Sequence, residues 1–286
     1  MKKVIISADS TCDLGDKLKE KWNIQYFPYH INLEGKDYLD NVTITPDDLY
    51  AAYRERKALP KTSAINVGEY LEHFKKFTDA GYEVVHINLG SGLSSSYQNA
   101  CLAADELEGV YAVDSKNLST GTGLLVLKAC EMAEQGADAK SIAAHLQSLT
   151  SFSHASFVIN TLEFLRAGGR CSALAAFGAN LLGIKPSINV DNNNGGKMSV
   201  GKKYRGKYDK VLLSYVADTL AKYPNYDDSI VFITHSGTDI SYIQSVEQYL
   251  KENTTFKEIY ITKASCTISC HCGPDTLGIL FMTHRQ

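Results

Sequence analysis

The chain has 286 residues, 44% hydrophobic and 21% charged, with a net charge of −3 and a pI near 6.2. That length is comfortable for two hydrophobic cores, and the balance argues against extensive disorder. Mild acidity gives no reason to expect nucleic acid as a partner, and no stretch approaches the roughly 18 consecutive apolar residues of a membrane span.

The opening Met1-Lys2-Lys3-Val4-Ile5-Ile6-Ser7-Ala8-Asp9 is too short an apolar run for a signal peptide. It reads as a first strand ending in the polar turn Asp9-Ser10-Thr11-Cys12-Asp13, and a soluble, cytoplasmic protein is expected. The odd count of seven cysteines, with Cys12, Cys101, Cys130 and Cys171 scattered, fits a reducing compartment without disulfides. Residues 24–33 alternate as a strand, and Glu34-Gly35-Lys36 reads as a hairpin turn. Thr45 caps a helix with Pro46 at its first position and Asp47 and Asp48 behind it. Asn66 caps a second, with Tyr70, Leu71, Phe74 and Phe77 at helical spacing and Gly81 past its end. Residues 83–89 form the next strand, and Gly90-Ser91-Gly92-Leu93-Ser94-Ser95-Ser96 leads into a helix through Leu107. A buried strand at 110–113 precedes helices over 121–135 and 137–149. Strands and helices alternating at this spacing imply a mostly parallel sheet covered on both faces.

After about residue 155 the texture changes. A strand at 156–160 runs into a short helix stopped by Gly168 and Gly169. Residues 186–190 and 197–204 flank Asp191-Asn192-Asn193-Asn194-Gly195-Gly196, a strong hairpin signal. Helix, strand, helix, strand and a final strand at 276–282 complete a second lobe. The expected fold class is α/β: an N-terminal, mostly parallel sheet with helices on both faces (Rossmann-like, residues 1–155), plus a smaller C-terminal α+β lobe (residues 156–286). A ligand belongs between the lobes.

Three hydroxyl-rich loops could meet it: the turn at residues 9–13, Lys61-Thr62-Ser63-Ala64-Ile65-Asn66, and residues 90–96. Two directly follow parallel strands, where open α/β sheets bind ligands. The last also opens a helix, whose free N–H groups favour an anion; Ser94 could equally be a plain cap. Ser269-Cys270-His271-Cys272-Gly273-Pro274 reads as a loop at a sheet end, with His271 a polar contact for a headgroup. His30, His73, His145 and His284 read as structural. Two other chemistries use the same residues. A serine hydrolase would take Ser94 as nucleophile and His271 as base, but Ser96 stands where the second glycine of G-x-S-x-G belongs. A zinc site would use Cys266, Cys270, His271 and Cys272, but the C-x3-C-x-C spacing is tight and a second cysteine pair is missing.

The blocks Asp9-Ser10-Thr11-Cys12-Asp13-Leu14, Pro60-Lys61-Thr62-Ser63, Ser91-Gly92-Leu93-Ser94-Ser95-Ser96-Tyr97-Gln98-Asn99-Ala100, Asp114-Ser115, Leu162-Glu163-Phe164-Leu165, Gly168-Gly169-Arg170, Ile184-Lys185-Pro186 and His271-Cys272-Gly273-Pro274 together resemble the DegV family over nearly the whole chain. The resemblance implies a carrier without catalysis of its own, holding a long-chain fatty acid between two lobes. It also implies a partner, the kinase subunit of a bacterial fatty acid kinase, which phosphorylates the bound carboxyl group. By it, Thr62, Ser94 and His271 hold the carboxylate, Ser63 and Ser95 stand beside them, and Arg170 maps to the Gly-Gly-Arg block. No metal or cofactor is implied. Three positions depart from the family: Ser95 replaces a glycine, Cys272 a threonine, and Asp275 a glycine.

The physics fits a carrier. Hydroxyls and helix N–H groups hold a carboxylate without an ion pair, which leaves an oxygen free for transfer. Each buried methylene adds about 0.8 kcal/mol, offset by the cost of ordering the chain. Residues 124–129 and 173–182 are apolar enough to line a tunnel or to form ordinary core. The densest basic run, Lys202-Lys203-Tyr204-Arg205-Gly206-Lys207, is expected just after a strand. There Lys203 and Arg205 are either a solvated strand end or a docking face for an acidic partner.

Overall fold

A computed structural model of the chain describes residues 3–172 and 183–284. In chain order the first half contains β1 (Val4–Asp9), α1 (Gly15–Lys21), β2 (Gln25–Phe27), β3 (His30–Leu33), β4 (Lys36–Leu39), α2 (Pro46–Arg56), β5 (Lys61–Ser63), α3 (Val67–Thr78), β6 (Glu83–Asn88), α4 (Ser96–Asp105), β7 (Val110–Asp114), α5 (Ser119–Glu134) and α6 (Ala139–Leu149). The second half contains β8 (Ser153–Val158), α7 (Glu163–Gly168), β9 (Ile184–Asp191), β10 (Lys197–Arg205), α8 (Tyr208–Lys222), β11 (Tyr226–Ser236), α9 (Ile240–Asn253), β12 (Glu258–Lys263), α10 (Cys266–Cys272) and β13 (Thr276–Thr283).

β2, β1, β6 and β7 form a four-stranded, wholly parallel sheet in that order. Its strands are covered on both faces, as parallel strands between helices are. Val84 faces the cluster with Tyr70 and Phe74 of α3 and Ala100 and Ala103 of α4, while Val85 faces Leu125 of α5 and Ile142 of α6. The α/β expectation holds.

The second sheet has six strands, ordered β10-β9-β8-β13-β11-β12, antiparallel except for β11 and β12. Alternation sorts its faces. Val231 and Ile233 join α8 and α9 in one cluster, whereas Phe232 between them packs toward α5 and the first sheet. α5 is therefore enclosed on both sides. Its Leu124, Leu125, Val126, Leu127 and Ala129 are core and not part of either cavity described below. The other apolar stretch, residues 173–182, lies outside the described residues.

A third, three-stranded antiparallel sheet, β4-β3-β5, corrects two expectations. Residues 24–33 are not one strand: β2 joins the parallel sheet and β3 the small one, with Pro28, which has no N–H to donate, at the break. Residues 61–63 are β5, not a loop. Thr45 and Asn66 do cap their helices, each in a reciprocal box with Asp48 and Glu69. Residues 269–274, expected as a loop, fall mostly within α10, whose Ser265 Oγ accepts from Ile268 N. The basic run lies largely inside β10 instead of after it.

Candidate functional site

Thr62 and Ser63 stand on β5, Ser94 and Ser95 on the connection from β6 to α4, His271 on α10, and Arg170 just beyond α7. All six line one cavity of about 100 Å³. Its remaining wall is largely apolar, with Leu89, Leu93, Leu118, Met198 and Ile268. Leu118, Ile268 and Cys272 also wall a second space of about 20 Å³ that runs between the sheets toward Phe157 and Leu280.

At the polar end His271 Nε2 and Thr62 Oγ1 are 2.9 Å apart, a hydrogen bond that joins β5 to α10. Burial, and secondarily the Arg170 charge, push the His271 imidazole down to about 4, so it is neutral near pH 7. Its Nδ1 is buried and has no hydrogen-bond partner among the described residues. Ser94 Oγ accepts from Tyr29 OH (3.3 Å) and from Ser96 N (3.2 Å), and donates to Ser96 Oγ (3.1 Å). Tyr29 is a site residue that sequence reasoning missed; an aromatic directly after Pro28, at a break between strands, was its signal. Ser95 is the residue before α4, at φ −79° and ψ 0°, which a side-chain-bearing residue adopts freely. The departure from glycine there needs no accommodation. Asp275 lies outside the cavity wall, its Oδ2 accepting from Asn160 Nδ2.

The glycines around the site serve close packing of protein on protein. A Cβ on Gly168 would sit 2.1 Å from His271 Nδ1, so the Gly-Gly-Arg block gives the imidazole room. Gly169 then ends α7 at φ +68°, and Arg170 Nη1 donates to Gly168 O (2.7 Å). Gly90 and Gly92 admit the β9–β10 turn, where Gly92 N donates to Gly195 O (2.8 Å).

The competing chemistries do not find their geometry. His271 bonds to Thr62 and not to Ser94, and no acid orients its other nitrogen among the described residues. Cys266 and Cys270 pack against Ile31, Ile44 and Leu49, with burial raising both thiols far above their ordinary range. Among the described residues no three His, Cys, Asp or Glu side chains are grouped to hold a metal ion. A larger cleft of about 530 Å³ opens beside β10 and α8, away from the candidate headgroup residues; there Lys202 and Asp218 pair with each other at 2.7 Å. Lys203 and Arg205 are exposed on β10 and line neither cavity of the site. No helix among the described residues is long and apolar enough to cross a membrane.

A family model described as DegV matches residues 3–284. A DegV domain-containing protein of Clostridium acetobutylicum is 31% identical over 286 residues, covering 99% of this chain and 99% of its own. The solved structure of a DegV family protein from Thermus thermophilus, described for its fatty acid binding, is similar with a TM-score of 0.88 at 27% identity, covering 99% of this chain and 100% of that one. A DegV lipid binding protein from Thermotoga maritima has a TM-score of 0.85 at 26% identity over 100% of both chains.

Proposed function

This chain belongs to the DegV family, and on that premise we propose that it is a cytoplasmic carrier that holds one long-chain fatty acid between lobes 1–155 and 156–286. The observation that carries this reading is a single cavity with hydroxyls and an imidazole at one end and Leu89, Leu93, Leu118, Met198 and Ile268 around the rest. Thr62, Ser63, Ser94, Ser95 and His271 hold the carboxylate, with Arg170 at the mouth. His271 is neutral near pH 7, so it meets the carboxylate as a hydrogen-bonding group and not as one half of an ion pair. The acyl chain runs on past Leu118, Ile268 and Cys272. Together the two cavities hold less volume than a long acyl chain fills, so loading spreads these walls apart.

The carrier performs no chemistry itself. It presents the carboxyl group to a separate kinase, which makes the acyl phosphate, and Lys203 and Arg205 on the exposed face of β10 dock that partner.

Native mass spectrometry of the purified protein, repeated after lipid extraction, tests the reading. One fatty acid per chain is expected, and Ser94→Ala or Thr62→Ala should each weaken its binding by about 1–3 kcal/mol, the range for a hydrogen bond to a charged group. Repeated preparations that carry no fatty acid and take up none when it is added would refute it.

A further inference from the structure

α10 carries His271, Ile268 and Cys272 into the cavity, yet it is only seven residues long. A helix under two turns does not hold itself, and its first N–H groups have no partners within it. Here a carboxylate from the other half of the chain supplies them. Cys266 N donates to Asp40 Oδ1 (2.7 Å) and Thr267 N to Asp40 Oδ2 (3.3 Å). Asp40 follows β4 directly and is 1% exposed. Ser10 Oγ also donates to its Oδ2 (2.7 Å) and accepts from Tyr29 N (3.2 Å), while Asp40 N donates to Tyr29 O (2.9 Å). Tyr29 OH in turn donates to Ser94 Oγ. The Asp40 side chain thus holds the helix of His271, while its backbone and Ser10 hold the segment that reaches Ser94. At the far end of α10, Gly168 closes against His271, so the imidazole has little room to compensate if the helix start shifts.

We propose that Asp40 is a positioning residue of the headgroup site: its carboxylate grips the start of α10 and so sets His271 against Thr62. This rests on the reading of the cavity as a fatty-acid site. Asp40→Asn turns an amide NH2 toward one of the N–H groups that the carboxylate now accepts from, and Ser10→Ala loosens the same carboxylate more gently.

Two readouts test it: the affinities of each variant for palmitic acid and for 1-hexadecanol, and an NMR titration of His271 in ligand-free protein. Palmitic acid affinity should fall by about tenfold or more, the scale of one hydrogen bond to a charged group. Hexadecanol, with the same chain and no carboxylate, should change by less than about twofold. His271 should titrate above about 4, toward the ordinary value near 6.5. Equal losses for acid and alcohol would make Asp40 merely structural, and folded variants with unchanged acid affinity and titration would overturn the proposal outright. If Asp40→Asn does not fold, Ser10→Ala decides by the same two measurements. A parent protein that binds neither lipid refutes the carrier reading, and the His271 titration still decides what Asp40 does.

Discussion

Asp9 and Asp13 bound a turn whose residue types suggested a headgroup loop, yet the structure turns both acids inward, to 0% and 4% exposure. Asp9 Oδ2 accepts from Leu89 N (2.8 Å), fixing the strand end from which the Ser94 segment departs. Asp13 Oδ2 accepts from Ser119 Oγ (2.6 Å) and Oδ1 from Ser265 N (2.9 Å), so it joins the turn to α5 and to the residue before α10. Burial pushes the Asp13 carboxyl up to about 7, against about 4 for the unfolded chain. A raised carboxyl pKa means that folding favours the protonated form. Its contribution is fully present below about pH 4 and is lost as pH rises through about 7. Asp13→Asn keeps an acceptor for Ser265 N and can donate to Ser119 Oγ, so it stands in for the protonated acid at every pH. Urea midpoints measured across that window should therefore fall less with rising pH in Asp13→Asn than in the parent, and parallel profiles would show that Asp13 does not titrate there.

Between elements, the connection from β6 to α4 owes its shape to the turn of another sheet. Gly90 N donates to Asn117 O (2.8 Å), and a Cβ on Gly90 would lie 2.5 Å from Gly195 O and 3.0 Å from Asn117 N. Those neighbours are backbone and cannot rotate away, so Gly90→Ala should cost about 1–3 kcal/mol in denaturant unfolding, as overpacking does. It should weaken fatty-acid binding at the same time, because Ser94 moves with the connection. A variant as stable as the parent would show that the turn yields freely. The glycines were legible in the sequence but their partner was not, since residues 90–92 and 195 are brought together only by the meeting of two sheets. The same holds for α10. Its CTISCHC sequence lacks an apolar stripe, and the two carboxylates that hold it and its preceding residue, Asp40 and Asp13, lie more than 200 positions earlier. Residues 24–33 failed for a different reason: strand-forming residues run on through both halves, and only Pro28 marks the change of sheet. By contrast, the boxes at Thr45 and Asn66 are complete within four residues, and they were readable.

Across the whole molecule, the proposed function divides between the inside of the lobe junction and an outer edge. Thr62, Ser94 and His271 converge from β5, the β6–α4 connection and α10, whereas Lys203 and Arg205 lie on β10, one of the two edge strands of the six-stranded sheet. An edge strand with lysine and arginine on it is protected from pairing with another sheet, which by itself explains such charges. Lys202 is in addition engaged by Asp218. Docking a kinase is a stronger demand, and it can be separated from edge protection by measurement. If the two cations meet an acidic face of the partner, Lys203→Glu with Arg205→Glu reverses two charges at the contact and slows encounter without touching the acyl chain. Fatty-acid affinity of the double variant should match the parent's, while phosphorylation of the bound acid by the cognate kinase falls by about tenfold or more, and raising salt should slow the parent in the same direction. Both proteins must be loaded with the same acid, so that turnover reports docking alone. Equal turnover would return these charges to edge protection and leave the docking surface to be sought near the cavity wall, where Arg170 is an exposed cation.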